Sequence, residues 1–338
     1  MLVVFLRYNE FSDNILAGYP VKDYILDDLN EIGYGRIVEI LDASQCRDAY
    51  NNYIDAEKCD VIFMEISASM PFVTTNMLSA LLENAQKHGS ASIGKAIAWR
   101  GDKLASGKQP KTVNIKLDMY ESESFEINSS EAMAKSEILM QEILRNKAVK
   151  QGATIMPGVV LSYDSKISAG ATIHPYSVIN TGVKIGSGAE ILPYTSITDS
   201  RISRGCTIGP NAHVLESEVG ENAYVGHCVE VKRSKIGCRT KIKHMSYIGD
   251  AILGNEVNIG AGTVICNYNG KSKHQTKIED RAFIGSNTSL IAPLIIREGS
   301  YITAGSVITD SVPNSSIACA RSKQKVFKGR AGILLKRR

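Results

Sequence analysis

Residues 154–198 read TIMPGVVLSYDSKISAGATIHPYSVINTGVKIGSGAEILPYTSIT. Ile155, Leu161, Ile167, Ile173, Ile179, Ile185, Ile191 and Ile197 follow one another in it at six-residue intervals without a miss. Ile, Leu and Val supply 42 of the 170 residues from 151 to 320, so eight hits in one register arise by chance with a probability of roughly 10⁻⁵. A period of six is that of a β-helix. Each hexapeptide supplies a short strand and a turn, three of them close a triangular coil, and the repeated aliphatic stacks inward on its counterpart one coil on.

The register runs on in steps of six, six and five through Ile202, Ile208, Val214, Val219, Val225, Val231, Ile236, Ile242, Ile248, Leu253, Ile259 and Ile265. After a gap it resumes at Ile278, Ile284, Leu290, Ile296, Ile302 and Ile308. Many of these aliphatics precede glycine, as at Ile185-Gly186, Ile208-Gly209 and Ile259-Gly260, and small residues such as Ala189, Ala212, Ala223, Thr240 and Thr263 sit four places on. Both features suit tight corners. About eight coils at ~4.8 Å make a prism roughly 40 Å long. Between Ile265 and Ile278 the segment CNYNGKSKHQTK leaves the prism as a loop, and loops of this length are often functional.

Upstream of residue 150 the period is different. LVVFL (2–6), RIVEIL (36–41), DVIFMEI (60–66), ASIGKAIAW (91–99) and TVNIKLDMY (112–120) read as strands. VKDYILDDLNEIG and TTNMLSALLENAQKHG read as amphipathic helices closed by glycine. The alternation predicts an α/β domain with a mainly parallel sheet. A last helix, SSEAMAKSEILMQEILRNKAV, starts on Ser with an acid in its first turn. The expected division is 1–128 for this domain, 129–150 for a linker helix, 151–320 for the β-helix and 321–338 for a basic arm.

The formal net charge of +4 resides in that arm. Residues 321–338 carry eight Lys and Arg and no acid, leaving 31 basic against 35 acidic residues before them. Aromatics do not interleave with the arm's basic residues beyond Phe327, which argues against nucleic acid. No apolar run approaches the ~18 residues of a membrane span. The start, MLVVFLRYNE, reads as a strand rather than a signal peptide, and seven scattered cysteines without C-x-x-C predict free thiols and a cytoplasmic protein.

A filled prism has no internal cavity, so chemistry must sit in outer grooves, which deepen when prisms associate around a threefold axis. Polar residues cluster around the loop: Lys232, His244, Tyr247, Asn258, Asn267, Tyr268 and Lys273. Imidazole, phenol, amide and ammonium groups on adjacent coils suit a phosphorylated, hydroxyl-rich substrate, with His244 as the base. His213, His227 and His244 show no metal-ligand spacing, so no metal site is expected.

The strings TIGPNAHV, VGHCVEVKRSKIG, KHMSYIGDA, VNIGAGTVICNYNGKSKHQT and IGSNTSLIAP resemble the acetyltransferase half of the bifunctional glucosamine-1-phosphate N-acetyltransferase / N-acetylglucosamine-1-phosphate uridylyltransferase family, which makes UDP-N-acetylglucosamine for the cell wall. The resemblance implies a left-handed parallel β-helix, a homotrimer with sites between subunits, and acetyl-CoA as co-substrate. It implies that His244 takes a proton from the ammonium of glucosamine 1-phosphate, while Lys232, Tyr247, Asn258 and Lys273 hold the sugar and its phosphate. Ala261, Asn267, Tyr268, Ser286, Ala304 and Arg321 match acetyl-CoA positions, and the arm would reach a neighbouring subunit.

Two departures qualify it. The family has an arginine gripping the sugar phosphate where this chain has Leu215, with His213 the nearest basic group. Loss of one charge-assisted hydrogen bond lowers affinity roughly ten- to a hundredfold. The first 128 residues resemble a shortened, nucleotidyltransferase-like α/β domain without its nucleotide motifs. FLRYNEFSDN stands where a Gly-rich phosphate loop belongs, and Ser69 stands where a metal-binding acid belongs, with Asn128 at the position of a second metal ligand. Uridylyltransferase activity is therefore expected to be lost, and magnesium is called for only if this domain is active. The alternatives are an acyltransferase for a different amino-sugar acceptor and a non-catalytic paralogue that binds sugar nucleotides.

Overall fold

The computed structural model describes residues 2–7, 12, 14–33, 36–40, 62–67, 70, 75–88, 90–93, 96–100, 113–114, 127–328 and 330. It divides into two compact units, Met1–Arg145 with Leu161–Tyr163, and Asn146–Val160 with Asp164–Arg338.

The first unit runs β1 (Leu2–Arg7), β2 (Ile15–Leu16), β3 (Tyr19–Pro20), α1 (Val21–Ile32), β4 (Arg36–Ile40), β5 (Ile62–Ser67), α2 (Thr75–His88), β6 (Ser90–Ile93), β7 (Ala96–Arg100) and β8 (Val113–Asn114), before α3 (Ser130–Lys150). Its sheet has the order β4-β1-β5-β7-β6-β8. β1 is parallel to β4 and β5, whereas β7 is antiparallel to β5 and β6. The single strand expected over 91–99 is thus a pair of strands, with Ile93 opposite Ala96. The sequence between them contains Gly94, a residue type that weakens a strand interior. Ile25 and Leu29 of α1 and Leu78, Leu81 and Ala85 of α2 pack with Val4, Leu6, Met64 and Ile66 in one buried cluster. α1 closes on left-handed Gly33, and Ser129 caps α3 by accepting the Ala132 N–H at 3.1 Å.

From Thr154 onward the short strands pair in parallel with the third strand after them, except that Tyr301–Ile302 pairs with Ile317–Ala318, the second after it, giving sheets of nine, eight and ten strands. Face A, the ten-stranded sheet, holds Lys241–His244, Asn258–Ile259 and Phe283–Ile284. Face B, of nine strands, holds Glu230–Lys232, Tyr247–Gly249 and Val264–Cys266. Face C, of eight, holds Lys235–Ile236, Ala251–Leu253 and Thr276–Ile278. Every aliphatic of the register from Ile155 to Ile308 is buried. Along face A they stack as Ile191, Ile208, Val225, Ile242, Ile259, Ile284 and Ile302. Six-residue spacing produces this because each side of the triangle returns an aliphatic to the same inward position.

The five-residue steps fall at the corner between faces B and C. There Ser200, Ser217 and Ser234 are buried. Their hydroxyls donate to the carbonyls of Thr198, Leu215 and Lys232 at 2.6, 2.7 and 2.9 Å. Each accepts the N–H of the residue one coil on, Ser217, Ser234 and Ala251, at 3.0 Å. The hydroxyls replace carbonyl acceptors that the shortened corner lacks.

Of the Ile-Gly glycines expected to form tight corners, Gly209 is left-handed, with φ of 102°, whereas Gly186 and Gly260 are not, and for these the expectation is corrected. Gly237 does not adopt a left-handed conformation, but a Cβ there would lie 2.2 Å from the Gly254 carbonyl oxygen of the next coil. Such glycines permit close approach between coils. One row of corners is turned instead by left-handed Tyr176, Tyr194, Cys228 and Met245, with φ of 61, 58, 51 and 47°.

Candidate functional site

Two groups of the expected site residues separate on the solenoid. The first is a row on face A. Register partners Ile242, Ile259, Ile284 and Ile302 are each followed two residues later by His244, Ala261, Ser286 and Ala304. His244, Ser286 and Ala304 are exposed and Ala261 half-buried. The carbonyls of Ala261 and Ser286 accept the N–H groups of Asn287 and Gly305 one coil on, at 2.7 and 2.8 Å, which fixes the row. Arg321 folds back on it, its Nη1 donating to the Ala304 carbonyl at 3.1 Å. The result is an imidazole, three small side chains on successive coils and a guanidinium. Such a strip accommodates an extended, amide-bearing chain with an anion at its far end.

The second group lies on face B and its corner with face C. Lys232 is a register partner of Leu215 on one side and Gly249 on the other. Gly249 carries the phenol of Tyr247: a Cβ added there would fall 2.5 Å from Tyr247 Oη. The same hydroxyl accepts from Asn267 Nδ2 at 3.4 Å. Asn267, 7% exposed, donates the same amide to the Asp250 carboxylate. Arg233 grips that carboxylate with two bonds, Nε to Oδ1 at 2.6 Å and Nη2 to Oδ2 at 2.8 Å. These bonds hold the Asp250 carboxyl below the usual carboxylate range against partial burial, and Asn267 and the charge of Lys273 act in the same direction. Asp250 raises the Arg233 pKa in return.

The loop is built from its own contacts. Tyr268 and Lys273 form an antiparallel bridge, Asn269 Oδ1 accepts the N–H groups of Lys271 and Ser272 at 2.9 Å, and Tyr268 Oη donates to the Gly270 carbonyl at 2.7 Å. Tyr268 is 58% exposed and Lys273 is exposed.

Asn258 stands apart. It lies on face A in the row of Lys241, Phe283 and Tyr301, whereas Lys232 and Tyr247 lie on face B. Sequence reasoning missed Arg233 and Asp250. Their signal was a charge pair separated by one 17-residue coil, visible only once the register is known. It also missed that His227 is the register partner of His244. Among the described residues no three His, Cys, Asp or Glu form a group able to hold a metal. Of the first unit's nucleotide-site positions, 8–11, 13 and Ser69 lie outside the described residues, as do Lys336, Arg337 and Arg338 of the arm, while Asn128 is exposed just before α3. No described helix is long and apolar enough to cross a membrane.

The family Hexapeptide repeat of succinyl-transferase matches residues 275–310. The hexapeptide region is 61% identical over 90 residues to the bifunctional protein GlmU of Lawsonia intracellularis, covering 27% of this chain and 20% of that protein. It is 52% identical over 96 residues to GlmU of Allorhizobium ampelinum, covering 28% and 21%. The match thus spans about a fifth of the length of these relatives. Among solved structures, the UDP-N-acetylglucosamine acyltransferase of Francisella novicida is similar at 19% identity and a TM-score of 0.41, over 49% of this chain and 67% of that one. The 4-diphosphocytidyl-2C-methyl-D-erythritol synthase of Anaerococcus prevotii is similar at 7% identity and a TM-score of 0.31, over 41% and 98%.

Proposed function

Starting from the homology of the hexapeptide region to GlmU proteins, we propose that the solenoid is an N-acetyltransferase that moves the acetyl group of acetyl-CoA to the amine of glucosamine 1-phosphate. His244 takes one proton from the C2 ammonium, the freed amine attacks the thioester carbonyl, and the tetrahedral adduct collapses to the amide as the nitrogen's surplus proton passes to the departing CoA sulfur. The observation that carries this reading is the face A row. His244 stands at the head of Ala261, Ser286 and Ala304, with Arg321 at the far end, as a base followed by a strip for the pantetheine chain requires. Asn267 and Tyr268 complete the acetyl-CoA side. Lys232, Tyr247, Asn258 and Lys273 hold the sugar phosphate.

Because Asn258 lies on a different face from Lys232 and Tyr247, the acceptor site is assigned to the junction between subunits of a cytoplasmic homotrimer. The first unit is read as a degenerate nucleotidyltransferase-like domain without uridylyltransferase activity. Acetylation of glucosamine 1-phosphate by the purified protein, followed by UTP and magnesium, tests both halves. Replacing His244 with Ala should lower kcat by ~10² to 10⁴, and unchanged turnover removes it as the base.

One observation favours a second reading. Leu215, not a cation, is the register partner of Lys232, which suits an amino-sugar acceptor lacking a phosphate there. A screen of amines with detection of released thiol separates the two acceptors. Calorimetry without acetyl-CoA binding would leave a non-catalytic sugar-nucleotide-binding protein.

A further inference from the structure

The extra residues of the loop-bearing coil return to the solenoid around one residue. Asp250 binds the start of the loop through its side chain, which accepts from Asn267 Nδ2. It binds the end of the loop through its backbone carbonyl, which accepts the Thr276 N–H at 3.2 Å. Asp250 is itself held on both sides: its carboxylate by the two bonds from Arg233, and its N–H by the Lys232 carbonyl at 3.0 Å. With φ of 49° it turns the corner in the left-handed region, where Asp is tolerated better than bulkier residues. No expected role in binding or chemistry falls on Asp250 or Arg233, yet they make the densest set of polar contacts near the loop.

We propose that Asp250, locked by Arg233, is a positioning residue that fixes both ends of the Asn267–Thr276 loop and so presents Lys273 toward an anionic acceptor beside Lys232 and Tyr247. The charge placement supports an anionic acceptor. The Asp250 carboxylate is neutralised by its two bonds from Arg233 and also feels the charge of Lys273, while Glu216 acts on Arg233. Among the described residues neither the Lys232 nor the Lys273 ammonium has a hydrogen-bonded side-chain partner, so against the carboxylates of Asp250 and Glu216 the group of Lys232, Arg233 and Lys273 keeps one net positive charge for a ligand. This inference rests on the acetyltransferase reading for its substrate, but its mechanical part does not.

Asp250→Asn keeps the shape and places an amide donor against Arg233 or Asn267, so one of the carboxylate's bonds is lost. Arg233→Met removes the lock while keeping a long side chain. Hydrogen exchange of the full-length protein should show faster exchange of the 268–275 amides in both variants, with the flanking coils unchanged. Unchanged loop exchange, or faster exchange throughout the neighbouring coils, overturns the proposal whatever the protein catalyses. If wild type acetylates glucosamine 1-phosphate, Asp250→Asn should raise the acceptor KM about tenfold at nearly constant kcat. In combination with Lys273→Ala it should add little further. Additive effects of the two changes, or an acceptor KM equal to that of wild type, overturn the positioning role. If wild type acetylates nothing, the functional reading fails and the exchange experiment still decides the loop's anchorage.

Discussion

A single methyl group distinguishes two glycines of the solenoid. At Gly237 an added Cβ meets the Gly254 carbonyl at 2.2 Å, a backbone atom of the next coil that cannot move alone. Gly237→Ala should therefore cost about 1–3 kcal/mol of stability, read as a lower denaturant midpoint. At Gly249 the same methyl meets the far end of the flexible Tyr247 side chain, 2.5 Å from Oη. Gly249→Ala should leave the midpoint close to wild type while displacing the phenol and raising the acceptor KM. Equal stability losses at the two sites would contradict this distinction. Asp250 adds a pH dependence. Its pKa is depressed in the folded protein, so its stabilisation is fully present above the unfolded value near ~4 and is lost as pH falls through the native value. Thermal melts between pH 2.5 and 6 should fall less steeply on the acid side for Asp250→Asn than for wild type.

At the scale of the element, the serine ladder turns the five-residue step from an irregularity into a structural rule. Ser217→Ala removes the acceptor of the buried Ser234 N–H and the donor to the Leu215 carbonyl. An unsatisfied buried amide costs about 1–3 kcal/mol, so the variant should lose that much in urea unfolding, and Ser217→Thr should recover part of it. The inward register is legible in the amino-acid order, because burial of one aliphatic per side follows from the period alone. The serines are equally visible in TDS, LES and KRS, but their role depends on a missing carbonyl, which only the closed coil reveals. The same holds for Arg233 and Asp250, whose pairing needs the 17-residue coil. The pairing of β6 with β7 escapes a reading by pattern, because nine apolar-rich residues resemble one strand until Gly94 is weighed as a break. His244 is legible from its company of polar residues, whereas its alignment with Ala261, Ser286 and Ala304 requires the register.

At the scale of the whole molecule, the separation of Lys232 on face B from Asn258 on face A has a quantitative consequence. If one acceptor binds both, they must come from different copies of the chain, and a cyclic trimer offers three such junctions. Lys232→Ala and Asn258→Ala should each reduce acetylation of glucosamine 1-phosphate severely when assayed alone. Unfolding and refolding the two variants together at equal concentration distributes them at random among trimers. A junction is intact only when the copy supplying Lys232 is the Asn258 variant and its neighbour supplying Asn258 is the Lys232 variant, a probability of one half for each. About a quarter of wild-type activity should then return, against none when the variants are refolded separately and mixed afterwards. Activity that stays at the level of the separate variants would mean that both residues act within one chain or that one of them does not touch the acceptor. Mixing either variant with wild type in the same way gives a baseline of about half, because each junction then fails only when the damaged copy supplies the missing residue.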